Sequence, residues 1–167
     1  MSLTEAFLVV LEDQPGHLIR RLHQISVALF LDETQTWGVT AVQFSALTAM
    51  ARQPGLDQRT LARRIGFDTS TLGSVLDRLE ARGLVVRQAH RQDRRVRLLF
   101  ITPAGQQTVD AMRESVLRAG ERLLAPLSPE EQATLLALMR KLVITNNALS
   151  RAPAVAGEAP PDTPSSP

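Results

Sequence analysis

Between Asp57 and Gly83 the sequence contains two helix starts and two helix stops within 27 residues. Asp57 precedes the run Gln58 to Ile65, which Gly66 closes; Asp68 precedes Thr69 to Arg82, which Gly83 closes. An aspartate at each start accepts the backbone N–H groups that a first helical turn leaves unpaired. A glycine just past each end takes the left-handed conformation that terminates a helix. Phe67 before the second cap and Leu72 inside the helix are spaced for a hydrophobic staple. Two short helices with a three-residue connection make a helix-turn-helix, and everything else in the chain has to be built around that corner.

On the second helix, Leu72, Val75, Leu76 and Leu79 share one face. Ser70, Ser74, Asp77 and Ala81 point the opposite way, flanked by Thr71, Gly73 and Arg78. A small, hydroxyl-rich face lets a helix axis come close to the bases in a major groove, where Ser and Thr can hydrogen-bond base edges or phosphates. Thr69, Ser70, Thr71, Gly73, Ser74 and Arg78 are therefore the expected recognition-helix contacts, with Gln58 and Arg59 on the preceding helix at phosphates. Gly73 costs about 1 kcal/mol of helix propensity. Either close approach to DNA or packing against a neighbour would compensate.

The stretch that follows, "LVVRQAHRQDRRVRLLF", reads as two strands, Leu84 to Ala89 and Val96 to Ile101, joined by the polar turn "HRQDRR". The whole chain carries a net charge of only +2, yet residues 59–97 hold ten arginines against four acids. Such asymmetry is the electrostatic footprint of a nucleic-acid-binding face. Arginines at a hairpin tip can enter a narrow, strongly negative minor groove. Arg91, Arg94, Arg95 and Arg97 are the expected wing contacts, and Asp93 among them is an ion-pair partner that orients Arg95 or holds the turn. A charged edge strand guarding against aggregation is the plainer alternative.

Around this module the sequence is helical. A short helix is expected over residues 3–11 and a longer one from Gly16 to Glu33. In the latter, Leu18, Leu22, Ile25 and Leu29 form a stripe that Ile19, Val27, Phe30 and Leu31 widen, so it needs a large core or a second subunit. Thr40 with Gln43 is a capping box for a helix through Arg52. Thr102 and Pro103 open a helix to about Ala125; Ser128, Pro129 and Glu131 open another to about Leu149. Beyond Ser150 the Pro-, Ala- and Ser-rich tail is expected to stay disordered. The organisation is residues 1–39 for dimerisation, 40–102 for a winged helix-turn-helix, 103–149 for further dimerisation helices and 150–167 for the tail. The fold class is mainly α with a small β-hairpin wing.

Several function classes are excluded. With no cysteine there is no disulfide or thiolate metal site. The three histidines (His17, His23, His90) lack metal-binding helical spacing, no Gly-rich phosphate loop is present, and no serine sits in a G-x-S-x-G setting. No enzyme, metal or cofactor is expected. The apolar run Ile25 to Leu31 is too short to span a membrane and no secretory signal opens the chain, so a cytoplasmic protein is expected.

The stretch "STLGSVLDRLEARGLVVR" followed by "DRRVRLLFITPAG" resembles the MarR family of winged helix-turn-helix regulators. The family's wing pattern is D-x-R, apolar strand residues, then L-T-x-x-G. Asp93, Arg95, Thr102 and Gly105 match it, and Ile101 stands for the leucine. The resemblance covers about Gly16 to Leu149. It implies a homodimer that binds a pseudo-palindrome in double-stranded DNA with half-sites about 10 base pairs apart, Arg95 entering the minor groove and Asp93 supporting it. It also implies a repressor released by a small aromatic acid bound between the dimer helices and the DNA-binding lobe. "PGHLIRRLHQ" is similar to members that govern aromatic or heteroaromatic acid breakdown. His17, Arg20, Arg21 and His23, with Trp37, are the expected ligand residues, cations and an aromatic surface for a carboxylate on a ring. A winged-helix protein-interaction module and a ligand-independent DNA binder are the competing readings.

Overall fold

The computed structural model describes residues 11–90, 95–150 and 153. The helix expected over 3–11 (all but Leu11), the hairpin turn with Arg91, Asp93 and Arg94, and the tail beyond Ser150 apart from Pro153 lie outside the described residues.

Helix α1 spans Pro15–Thr34, with Pro15 in its first turn, one residue longer at each end than expected. Within the chain it buries only Phe30 and Thr34, while Leu18, Ile19, Leu22, Ile25 and Leu31 stay exposed. A 3-10 turn, Gln35–Trp37, leads to α2, Ala41–Arg52. Both bonds of the Thr40–Gln43 capping box form, at 3.3 and 2.9 Å. The Phe30 and Phe44 rings meet at 6.1 Å between centroids, tying α1 to α2.

Two residues, Leu56–Asp57, form β1, a strand absent from the sequence reading. Helices α3, Gln58–Ile65, and α4, Thr69–Ala81, follow with the expected aspartate caps. At the corner Gly66 adopts φ +64°, and the Phe67 amide donates to the Ala62 carbonyl at 2.9 Å, closing α3. Strands β2, Val85–Ala89, and β3, Arg97–Ile101, pair antiparallel with Arg87 opposite Leu99, and β1 adds to the other side of β3 through Leu56 opposite Leu99. The sheet order is β1-β3-β2.

Leu47 and Met50 of α2, Leu61 of α3, Leu72, Leu76 and Leu79 of α4, Leu99 of β3 and Met112 of the next helix make a fully buried core. That next helix, α5, spans Pro103–Leu124. No loop separates it from β3. Thr102 caps it by accepting from the Gly105 amide at 3.1 Å, donates its hydroxyl to the Gly83 carbonyl at 2.7 Å, and donates its amide to the Leu84 carbonyl at 3.0 Å. A Cβ on Gly105 would stand 2.2 Å from the Leu84 carbonyl oxygen, so glycine there is a packing requirement.

At its other end α5 is bolted to α1. Arg118 reaches Glu33 at 3.1 Å, and Arg122 reaches Glu33 at 2.7 Å and Asp32. Hydrogen bonds from Arg122 and Arg118 hold the Glu33 carboxyl below its ordinary range, against partial desolvation that raises it. Helix α6, Pro129–Thr145, buries none of its residues within the chain. It stops four residues short of the expected Leu149 and gives way to a 3-10 turn, Asn147–Leu149. The run Thr145, Asn146, Asn147 explains the stop, since these side chains compete for backbone hydrogen bonds.

Candidate nucleic-acid interface

Helix α4 divides as its sequence predicts. Leu72, Val75, Leu76 and Leu79 are buried, and Thr69, Ser70, Thr71, Ser74, Asp77 and Arg78 are exposed. The hydroxyls are not idle. Ser70 donates to Asp68 at 2.6 Å and Ser74 donates to the Thr71 carbonyl at 2.9 Å, so both oxygens keep lone pairs for an incoming donor.

Gly73 lies beside the Gln58 side chain, at a distance that would also admit a Cβ. The Gln58 side chain lies over it, with Nε2 3.4 Å from where a Cβ would be, and donates to the Thr69 carbonyl at 3.1 Å. Gln58 thereby holds α3 against the first turn of α4, and Arg59 beside it is exposed. Asp57 anchors the start of α3 by accepting the Thr60 amide at 2.9 Å and hydroxyl at 2.8 Å. Partial burial pushes its carboxyl up, but the Thr60 and backbone donors prevail and hold it below its ordinary value.

Arg97 is the first residue of β3, and Arg95 stands exposed just before it. Arg87, one of the ten arginines of the basic segment, is turned onto α4. Its Nη1 meets Glu80 at 2.6 Å and its Nη2 meets Asp77 at 2.7 Å, both on α4. Arg82 is also committed, donating to the Trp37 and Gly38 carbonyls at 2.8 and 2.7 Å. These pairings cross 7 to 45 positions of sequence, which is why counting charges along the chain missed them.

The expected ligand residues do not converge within one chain. His17, Arg20, Arg21 and His23 lie on the first half of α1, where Arg20 contacts His17 at 3.4 Å and Arg21 donates to Gln24 at 3.2 Å. Trp37 packs partly buried against the core beyond the far end of that helix. From Arg21 to Thr34 the helix rises about 20 Å. A cleft of about 430 Å³ lies instead between α2 and α5, walled by Phe44, Val109 and Val116, with Arg52 and Arg113 also lining it. In it the Thr48 hydroxyl is buried with no hydrogen-bond partner among the described residues.

Among the described residues no group of three His, Cys, Asp or Glu could hold a metal ion, and no helix is long and apolar enough to cross a membrane.

The sequence profile of the MarR family matches residues 37–96, from Trp37 through the helix-turn-helix to Val96. Transcriptional regulator HosA of Escherichia coli is 31% identical over 137 residues, spanning 82% of this chain and 100% of that protein. The chain belongs to the MarR family. Solved structures similar to this MarR-family chain include the PcaV transcriptional regulator of Streptomyces coelicolor in complex with its natural ligand, with TM-score 0.74, 36% identity, and coverage of 80% of this chain and 94% of that one. A transcriptional repressor, CouR, bound to a 23-mer DNA duplex, gives TM-score 0.75 and 28% identity over 80% of this chain and 95% of that one. This MarR-family protein is a transcriptional regulator with a winged helix-turn-helix fold.

Proposed function

We propose that this chain is a cytoplasmic repressor that binds a pseudo-palindromic operator as a homodimer and leaves it when a small aromatic carboxylate binds. The observation that carries DNA reading is the split α4 helix, apolar toward the core and hydroxylic outward, with a basic hairpin fastened beside it. In this reading Thr69, Ser70, Thr71, Gly73, Ser74 and Arg78 face the major groove, Arg59 meets phosphate, and Arg95 and Arg97 lie toward the minor groove. Gln58, already engaged with Thr69, positions the pair of helices and offers its remaining N–H to phosphate.

Residues 40–102 form the reading module, and 1–39 with 103–149 form the pairing body. Support for pairing comes from α1 and α6, whose Leu18, Leu22, Ile25, Leu138, Leu142 and Val143 are exposed in the single chain. Burying a large aliphatic side chain is worth about 1.5–3 kcal/mol, and a helix that buries nothing needs a partner to stand. A second copy presenting the same stripe is self-complementary about a two-fold axis.

The effector reading is supported by the ligand-bound PcaV neighbour and by the α2–α5 cleft, where an apolar wall suits a ring and Arg52 and Arg113 suit its carboxylate. His17, Arg20, Arg21 and His23 belong to it only if a second copy's α1 reaches this cleft.

The deciding experiment titrates the protein against duplex at 50 and 200 mM salt. Neutralising about six phosphates makes affinity fall roughly a thousandfold across that range. A flat response points to a protein-interaction module instead.

A further inference from the structure

We propose that Arg87 is a positioning residue for operator reading: its guanidinium fork fixes the wing against the recognition helix and contacts no phosphate. The proposal rests on the DNA-binding reading above.

Arg87 is the central residue of β2, opposite Leu99 of β3. Its two terminal nitrogens are spent on two carboxylates of α4, Nη2 on Asp77 at 2.7 Å and Nη1 on Glu80 at 2.6 Å. The other Glu80 oxygen accepts the Arg87 backbone amide at 3.3 Å, so one carboxylate grips both the strand and its side chain. Asp77 and Glu80 are three positions apart on a helix and so lie on one face, at a spacing that a planar fork bridges. The Arg87 side chain is 22% exposed, against 68% for Asp77. Its charge is spent on two carboxylates of the helix, and its side chain is the less exposed partner in the Asp77 pair.

The consequence passes along the sheet. All five residues of β2 pair with β3, from Val85 with Ile101 to Ala89 with Arg97. Holding the middle of β2 therefore holds Arg97 and sets the direction in which Arg95 leaves the sheet. A lysine at position 87 keeps the charge but offers one point of attachment in place of a fork, which fixes distance without fixing angle.

The test compares wild type, Arg87→Lys, Arg87→Met and Arg95→Ala on otherwise identical duplexes with A·T-rich or G·C-rich flanks, each over a salt series. Wild type must bind first; a wild type that binds no duplex overturns the DNA-binding reading itself, and the assignment of Arg87 with it. Given binding, both Arg87 variants should lose about tenfold on A·T-rich flanks and most of their preference for those flanks, with an unchanged salt slope. The double variant Arg87→Met with Arg95→Ala should be no weaker than Arg95→Ala alone, because both act through one contact. A salt slope reduced by about 0.9, equal loss on both flanks, or full rescue by lysine identifies a phosphate contact and overturns the proposal. Should Arg87→Met fail to fold, Asp77→Asn with Glu80→Gln releases the fork from the helix side while keeping the arginine. That variant should lose the flank preference too, and its retention also overturns the proposal.

Discussion

Arg82, the residue that closes α4, donates to the Trp37 and Gly38 carbonyls at 2.8 and 2.7 Å, joining the end of the recognition helix to the turn that follows α1. The same connection packs Trp37 against the core and buries Val39, and the arginine adds two hydrogen bonds to its backbone. Arg82→Met should cost about 1–2 kcal/mol, two net hydrogen bonds' worth, and lower the melting temperature by roughly 3–6 °C. Thermal unfolding at fixed protein concentration measures it; a shift under one degree would mean that water serves those carbonyls equally well.

Gly105→Ala should destabilise by about 1–3 kcal/mol or more, because the new methyl meets a backbone oxygen that cannot turn aside. Gly120→Ala in the same helix is the control. Nothing lies within 4 Å of its Cβ position, so the alanine should be neutral or add up to about 1 kcal/mol through helix propensity. Urea midpoints of the two variants should move in opposite directions or differ clearly in size.

The Asp57 cap carries a pH signature. Its folded-state carboxyl is held below the ordinary value of 3.8, so its contribution is full above that value and fades as pH falls through the folded one. Asp57→Ala should cost about 1 kcal/mol near neutral pH, and the gap from wild type should narrow below about pH 4. Unfolding free energies across an acid series check this. A gap that widens on acidification would reverse the sign assigned here.

Leu22→Glu places a charge on the exposed apolar stripe of α1, and the proposed symmetric pair would carry that charge from both copies. Sedimentation should show monomers in place of dimers, and tight binding to a full palindrome should vanish with them, since burying an unpaired carboxylate costs several kcal/mol. Monomeric Leu22→Glu that still grips the palindrome at wild-type strength would refute the paired architecture.

Helix ends were the most legible part of this sequence. Asp57, Asp68, Thr40, Thr102 and Ser128 each accept the backbone hydrogen bond their position implied, because a cap is decided within three residues of itself. The β1 strand was illegible for the opposite reason. Two residues carry no alternation, and Leu56 becomes a strand only because Leu99, 43 positions later, lies beside it. In the sequence Arg87 is only one of the ten arginines of the basic segment, since linear counting cannot see that β2 runs back along α4 past Asp77 and Glu80. Trp37 groups with Arg20 and Arg21 as a ligand residue in the sequence, whereas the rest of the helix to Thr34 separates them in the fold. The exposed stripe on α1 was readable as excess, a helix with more apolar surface than one chain could cover.

The Thr102 junction, where strand becomes helix with no slack between them, bears on how operator spacing is sensed. One added base pair between half-sites turns the second half about 35° around the duplex, given 10–10.5 pairs per turn. A regulator with a swivel there would simply follow. Here the Thr102 bonds join the strand directly to the long helix, so in the proposed dimer the mismatch would pass to the double helix, which would have to be over- or underwound to meet it. In that assembly the torsional stiffness of the intervening base pairs would become part of the code.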